Sequence, residues 1–569
     1  MINMGVDFGS TFTTISTMRN DLLEAILPTE SDNSPFIPSV VSIDKNGRTK
    51  VGNNAKNQVG KKNVSFYNCF KMLLATKDME KLNKYHYNYS PDFLPEDCAK
   101  IFLNLVLKNA VDRCDQNEIN RLVVGAPEVW FKSLQTHDGR RILRNICSHM
   151  SDLQVKEVQI VSEPAAACAF FAYNYMKTRG EWFDGTILLV DFGGGTLDNS
   201  LAQITSEEDA DGSRRMNIRI LESNGMGENH EGRIGNAAVL YMYSVVEVAV
   251  IASGLFDDKV EFDDQFFKAV NEFEVALTNS VADIADIFDE IGIDALDELE
   301  EEIFTSIFYK GQEIDIDYAM LVNVYDEKIR TPFEEKLLAI IDLMKRHGLN
   351  NDDGDVEDFK IALVGGFCNF YLVRKQVEEL FQIGKFDKRM DGIITNRADC
   401  EKAISYGAAL LAENIVNMRP VAPYSIALVE ELPIKYAFRY RQDIEYDKVY
   451  YPEEIDSISG KKIIRPIWLG NNPIDKLVMN LGHDDETAMI LPIKADLRNE
   501  IQEKMKLINK ETAYPLFMIG FSLDASEVLS LHVSKWNNDE QVAYDEDYVI
   551  ELNHINEMFE TSRVVYVKE

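Results

Sequence analysis

Asp7 and Asp191 stand at the same point of a short pattern that occurs twice. Met4-Gly5-Val6-Asp7-Phe8-Gly9-Ser10-Thr11 returns as Leu188-Leu189-Val190-Asp191-Phe192-Gly193-Gly194-Gly195-Thr196. In each copy an apolar run ends in Asp-Phe-Gly, small residues follow, and a second strand-like run begins. A turn of small residues between two strands lets consecutive backbone N–H groups converge on an anion. Residues larger than glycine would hold phosphate oxygens away, so Gly9 and Gly193-Gly194-Gly195 suit close approach. Thr11 and Thr196 add hydroxyl donors. Asp7 and Asp191 are placed to hold a hydrated Mg²⁺, an ion that favours carboxylates and water. A lone Asp-x-Gly is an ordinary surface turn. Two matching copies with their aspartates 184 residues apart indicate a duplicated fold.

The elements that must carry these turns are β-hairpins within an α/β fold, since strand and helix signals alternate between and after the copies. Residues 121–126 read as a buried strand ending in Gly125-Ala126-Pro127, and 360–364 as another that runs into Gly365-Gly366. Residues 403–416 have helical spacing, with Ile404, Gly407, Ala408 and Leu411 on one face. The acidic stretch 260–302 reads as a solvated helical surface, and 350–358 as an acidic loop. Composition changes near Arg419-Pro420. Beyond it come short alternating runs at 433–441, 462–469, 516–523 and 528–535, with a turn at Gly470-Asn471-Asn472-Pro473. That pattern predicts a small antiparallel β domain. The tail after Asp547 is expected to hold at most one short helix. The expected division is a domain over 1–415 and a β-rich one over 420–569.

A chain of 569 residues is too long for one core, and 46% hydrophobic residues exclude wholesale disorder. A formal charge of −36 excludes general nucleic-acid binding, because a phosphate backbone would be repelled. It permits a nucleotide held locally by backbone N–H groups, one lysine and a metal ion. The seven cysteines are scattered without a CxxC pair, which speaks for buried thiols in a reducing cytosol. The chain opens without a basic-then-apolar leader, and no uncharged apolar stretch reaches the roughly 20 residues of a membrane span. A cytoplasmic protein without membrane contact is expected.

Asp7-Phe8-Gly9-Ser10-Thr11 resembles the first phosphate loop of the actin, sugar-kinase and heat-shock-chaperone superfamily. The segment from Asp191 through Thr196, Leu197 and Asp198 is similar to the second, in its chaperone form. Ser162-Glu163-Pro164-Ala165-Ala166-Ala167 resembles the connecting segment of DnaK-type chaperones. Val364-Gly365-Gly366 and Ser405-Tyr406-Gly407-Ala408-Ala409 resemble the adenosine loop and the helix after it. Ile37-Pro38-Ser39-Val40 and Gly52-Asn53-Asn54-Ala55-Lys56-Asn57-Gln58 match early chaperone segments. The resemblance covers about residues 2–415. It implies a duplicated, actin-like (ribonuclease-H-like) two-lobed ATPase domain that binds ATP or ADP with Mg²⁺.

Carried over by position, the resemblance makes Lys71, in Phe66-Tyr67-Asn68-Cys69-Phe70-Lys71, the residue that reaches the γ-phosphate and the attacking water. Glu163 and Asp198 then orient water and metal, and Asp191 polarises the nucleophile or holds Mg²⁺ together with Asp7. Gly9, Ser10, Thr11, Phe12, Gly193, Gly194, Gly195, Thr196, Gly365, Gly366, Phe367 and Asn369 become nucleotide-binding positions. The family's adenine-sandwiching arginines are absent. Val275 stands at one position and Phe367-Cys368-Asn369-Phe370-Tyr371 replaces the segment bearing the other, so Phe367 or Tyr371 would offer a stacking face. Glu274 replaces a lysine and Asn271 an acidic residue. A family Gly-Gly-Glu-Asp-Phe-Asp motif reads here as Glu231-Gly232-Arg233-Ile234-Gly235-Asn236.

Val421-Ala422-Pro423-Tyr424-Ser425-Ile426 and the segment from Gly520 to Val533 are similar to the family's peptide-binding β domain, with no helical lid expected after it. The function implied is an ATP-hydrolysing chaperone whose nucleotide state controls the hold on client polypeptide and which works with co-chaperones. The alternative is a nucleotide-binding scaffold or filament protein of the same superfamily, with slow hydrolysis and no clients.

Overall fold

The computed structural model describes residues 1–28, 34–74, 89–132, 137–208, 214–226, 237–256, 260–348, 359–382, 400–428, 434–455, 462–464, 476–480, 487–508, 517–537, 542–552 and 565–568. The expected acidic loop at 350–358, the turn at 470–473, the motif from Glu231 to Asn236 and parts of the runs 433–441, 462–469 and 516–523 lie outside the described residues. The chain divides into two units, one of residues 1–129 with 145–418 and one of residues 130–144 with 419–569.

Two sheets of matching design organise the first unit. In one, β1 (Ile2–Phe8), β2 (Phe12–Arg19) and β3 (Leu22–Ala25) form an antiparallel meander. On the far side of β1 lies β4 (Glu118–Ala126), parallel to it, and β5 (Gln154–Ser162) runs parallel beside β4. In the other sheet β6 (Gly185–Phe192), β7 (Leu197–Glu208) and β8 (Arg214–Met226) repeat the meander. There β9 (Phe359–Val364) runs parallel beside β6, and β10 (Val416–Met418) beside β8. The central strands are buried along nearly their whole length, as continuous apolar runs flanked by parallel neighbours should be. Between meander and meander the register repeats too: Asp7 pairs with Thr14, and Asp191 with Asp198.

Helices α1 (Glu163–Arg179) and α4 (Ala403–Ala412) join the sheets into one core with Val123, Val161, Ile187, Leu189, Ala202 and Ile218. They cross with backbones in contact, because a Cβ on Gly407 would fall 1.6 Å from Ala166 O. The helix expected over 403–416 stops at Ala412. Asn414 takes φ 56° there, a left-handed residue that ends the helix and releases the chain into β10. Helices α2 (Ala238–Ala252) and α3 (Asp264–Asn279) follow β8. Asp263 caps α3 by accepting from the N–H groups of Gln265 and Phe266, and the apolar face of α3 is buried through Phe266, Ala269, Val270 and Phe273.

The second unit holds a five-stranded antiparallel sheet built from Ser425–Leu428, Lys435–Phe438, Lys476–Asn480, Thr487–Pro492 and Val565–Lys568. A three-stranded antiparallel sheet of Phe517–Leu523, Leu529–Asn537 and Val542–Glu551 accompanies it. Their core includes Tyr424, Ile426, Phe438, Leu491, Phe521 and Leu531. Helix Ala495–Ile508 contributes Leu497 and Ile501 to the same core, an element the strand pattern did not announce. The tail differs from expectation, since Val542–Glu551 and Val565–Lys568 are both strands paired to sheet neighbours. Arg140 is fully buried in this unit, 4.4 Å from the Phe131 ring centroid and 3.3 Å from Glu527, and Arg144 pairs with Asp524 and Glu551.

Candidate functional site

The two meanders present their first turns to each other. Residues 9–11 connect β1 to β2, and 193–196 connect β6 to β7. A Cβ on Gly194 would fall 2.0 Å from Thr11 Oγ1, and one on Gly195 would meet Ser10 Oγ at 2.7 Å and Met72 Sδ at 2.8 Å. Loop-to-loop packing therefore favours glycine at both places, since a Cβ would push aside the side chains of Thr11, Ser10 and Met72, a second reason beside phosphate access. The first turn is anchored by Ser39, whose hydroxyl donates to Gly9 O at 2.7 Å. The second is closed by the Gly193 N–H, which donates to Thr196 O at 3.0 Å. Gly365, with φ 85°, lies so close to Asp191 that a Cβ would reach Oδ1 at 2.6 Å. No L-residue fits there without strain.

Both turns border a cavity of about 410 Å³, a volume suited to a small-molecule ligand. Asp7, Gly9, Ser10, Thr11, Phe12, Lys71, Glu163, Asp191, Gly193, Gly194, Gly195, Thr196, Gly365, Gly366 and Phe367 all line it. Lys71 is buried, with Nζ 2.5 Å from Glu163 Oε1. Glu163 is the first residue of α1, delivered directly from the end of β5. Asp198 does not line the cavity; it is fully buried opposite Asp191 in the β6–β7 pair.

Carboxylates outnumber cations here. Desolvation, reinforced by Glu163 and only partly opposed by Lys71, pushes Asp7 up to about 7. Burial, then Glu163, Asp198 and Asp7, raises Asp191 well above the carboxylate range. Burial, then Glu163 and Glu128, does the same to Asp198. Asp191 Oδ2 and Thr11 Oγ1 are buried and make no hydrogen bond within the protein. A polyphosphate with a hydrated Mg²⁺ fits this donor set: the ion would compensate the crowded carboxylates, its water would donate to Asp191 Oδ2, and a phosphate oxygen would accept from the Thr11 hydroxyl. Among the described residues no three His, Cys, Asp or Glu side chains converge as a metal-ligand group. An ion here would take most of its shell from water and phosphate.

Several expected contacts fall elsewhere. Asn369 does not line the cavity; its amide donates to Glu401 Oε1 at 3.2 Å. Tyr371 turns away, its hydroxyl donating to Asp289 at 2.6 Å and its ring packing on Phe288. Phe367 reaches the lining but belongs to an aromatic core. Its ring stacks on Phe370 at 8° with centroids 5.5 Å apart and meets Phe192 edge-on. Val275 is 48% exposed and outside the lining.

Glu274 is already a replacement on its helix in the sequence, and other residues at the site escaped the sequence pattern. Thr14 lines the cavity opposite Asp7, and Glu128 is buried with Ser223 donating to it at 2.5 Å. On α3, Glu274, Leu277 and Thr278 line the cavity, and Glu274 accepts from Lys56 at 2.7 Å. Pairing across 218 residues leaves no local periodicity to detect.

The sequence model described as Hsp70 protein matches residues 3–208. The chain is 29% identical over 204 residues to the chaperone protein DnaK of Metamycoplasma hominis, covering 36% of this chain and 30% of that one. It is 22% identical over 440 residues to the chaperone protein DnaK of Thermotoga petrophila, covering 76% and 62% respectively. The same identity holds over 441 residues for that of Thermosipho africanus. The chain thus spans less than two thirds of the length of these relatives.

Proposed function

Starting from a chain that is a divergent member of the DnaK-type Hsp70 family, we propose a Mg²⁺-dependent ATPase whose nucleotide state controls polypeptide binding by its C-terminal β-rich region. One observation carries this: two glycine-bearing hairpin turns, an aspartate at the strand end before each, and a buried lysine all border a single cavity.

In this reading the turns at Gly9–Thr11 and Gly193–Thr196 hold the phosphates through backbone N–H groups and the threonine hydroxyls. Asp7 and Asp191 hold Mg²⁺ through water, and the ion neutralises phosphate charge. Lys71, the one cation among the described lining residues, stabilises the charge that develops on phosphoryl transfer to water. Glu163 fixes the Lys71 ammonium and orients water. Asp198, facing Asp191 across the hairpin, supports it. Gly365 and Gly366 bring backbone close to the nucleoside. ADP is the product and second ligand, unfolded polypeptide the client, co-chaperones the partners, and the cytoplasm the compartment.

The test is the affinity of a fluorescent unfolded peptide, measured by anisotropy in ATP and in ADP, beside single-turnover hydrolysis with and without Mg²⁺. Weaker peptide binding in ATP and Mg²⁺-dependent hydrolysis are expected. Equal peptide affinity in both nucleotides would remove the chaperone half, and absence of hydrolysis the enzymatic half.

A further inference from the structure

Two cysteines meet beside the main cavity. Cys368 sits in the 3₁₀ turn Gly366–Asn369 that follows β9, and Cys400 lies just ahead of α4. Both are buried thiols outside any disulfide. Cys400 lines the cavity together with Gly365, Gly366 and Phe367 of the turn. One residue further on, the two segments are hydrogen-bonded, the Asn369 amide donating to Glu401 Oε1 at 3.2 Å. Burial, then Asp191, pushes the Cys368 thiol up, and Cys400 lies near enough to push it further. The Cys368 thiol donates to Val190 O at 3.5 Å, a weak bond that does little to hold the sulfur.

Burial alone keeps a thiol inert. Access through a cavity sets Cys400 apart, and a second thiol beside it is the other half of a redox pair. We propose that Cys368 and Cys400 form a modification site at which hydrogen peroxide makes a disulfide. Peroxide entering the cavity gives one oxygen to the Cys400 sulfur: the S–O bond forms, the O–O bond breaks, and water leaves with the thiol proton. The Cys368 sulfur then attacks the sulfenic sulfur; the S–S bond forms, the S–O bond breaks, and a second water carries off the Cys368 proton. The thiol pair is oxidised by two electrons and the peroxide is reduced by two. The effect on ligand rests on the nucleotide reading above. A disulfide fixes its Cα atoms about 4.4–6.8 Å apart, so it draws Cys368 from Val190 and holds the turn to the segment ahead of α4. Gly365, at the head of that turn, packs so closely on Asp191 that a Cβ would reach Oδ1 at 2.6 Å, and a shift of the turn is felt at the carboxylate.

The full chain, reduced and then freed of reductant, would be treated with hydrogen peroxide, blocked with N-ethylmaleimide on denaturation, digested, and mapped by mass spectrometry without reduction. A Cys368–Cys400 cross-linked peptide that dithiothreitol releases is expected, formed more slowly when Mg²⁺–ADP fills the cavity. Titration calorimetry with Mg²⁺–ADP should find the oxidised chain binding roughly 10-fold more weakly than the reduced one, the worth of one hydrogen-bonded contact. In Cys368→Ser, peroxide should leave Cys400 as a sulfenic acid that dimedone traps. Both cysteines still carrying N-ethylmaleimide after peroxide would overturn the assignment, as would a disulfide from either to another cysteine. A Cys368–Cys400 disulfide that leaves Mg²⁺–ADP affinity unchanged would overturn its link to the cavity. The peptide map needs no variant, so it decides even where Cys368→Ser fails to fold. If the reduced chain binds no Mg²⁺–ADP, the nucleotide reading falls, while the map still decides on the disulfide.

Discussion

The two meanders of the first unit share a plan and differ in what faces the aspartate across the strands. In the first, Asp7 faces the neutral Thr14; in the second, Asp191 faces Asp198. Their turns differ as well: the pairs Phe8–Thr13 and Phe192–Leu197 each enclose four residues, of which one is glycine in the first copy and three in the second. The shared plan supplies two anion-accepting turns facing one cavity. The difference gathers carboxylates on the second copy, where Asp191 and Asp198 are both buried and both pushed well above the carboxylate range by desolvation and by neighbouring carboxylates. Like charges directly opposite in a strand pair destabilise it, so the second copy bears an electrostatic load that the first does not. The repeated plan is the scaffold, and the departure from it makes one half the more crowded with carboxylates.

Lys71 is the cation both copies depend on, and its loss should have the largest effect. Lys71→Ala should lower single-turnover ATP hydrolysis by about 10²–10³-fold, the usual loss on removing one charge-stabilising donor. It should also lower the melting temperature, since Glu163 would stay buried without its partner. A variant that hydrolyses at the wild-type rate would remove Lys71 from the chemistry and the common dependence with it.

The turns themselves come next. Gly194→Ala places a methyl where Thr11 Oγ1 stands, so the Thr11 hydroxyl must be displaced and its Cβ must give, at a cost of about 1–3 kcal/mol by analogy with overpacked cores. Gly366→Ala, beside the same cavity but with open space around its Cβ, should stay within about 0.5 kcal/mol. Denaturant melts of the two variants would decide. Equal, small effects would show that the second turn yields without loss.

A smaller effect would sharpen the charge comparison. A carboxyl whose pKa is raised on folding contributes fully below its unfolded value, and that contribution is lost as pH rises towards the folded value. For Asp7 the window runs from 3.8 to about 7, and Asp191 and Asp198 act in the same direction. The contribution of these groups to nucleotide-free stability should therefore fall with pH across that window, and Mg²⁺–ATP should oppose the fall. Asp191→Asn should raise nucleotide-free stability at pH 8 by about 1.4 kcal/mol or more, the free energy of a tenfold change in proton affinity. Asp7→Asn should raise it less. The reverse order, read from urea melts, would contradict the placement of the electrostatic load on the second copy.

Much of the side of the cavity formed by the glycine turns was legible because its requirements are local. A tight turn between strands needs small residues in a row, and an aspartate before it is visible in the same eight letters. Gly365 and Glu163 were legible for a related reason, since each follows directly on a buried strand. The side around Gly366 and Phe367 was not. Phe367 and Tyr371 looked like available rings, yet Phe367 stacks on Phe370 and Tyr371 bonds to Asp289, partners supplied by the packing of α3's neighbours and the adjoining 3₁₀ turn. An aromatic residue after a Gly-Gly turn carries no mark of which side it will bury.

What the sequence alone determined was periodic and contiguous: the twin hairpins, the alternation of strand and helix, the change of character near Arg419, and the acidic balance. Those properties follow from backbone sterics and apolar spacing within a few residues. Tertiary structure decided the pairs between distant positions. It joined Lys56 to Glu274, set Glu128 beside Ser223, and grouped residues 130–144 with 419–569. It also set Gly194 against Thr11, where a Cβ would displace the hydroxyl. Such pairings depend on how faces meet after the helices dock, and a buried charge is tolerable only where a distant partner arrives to meet it.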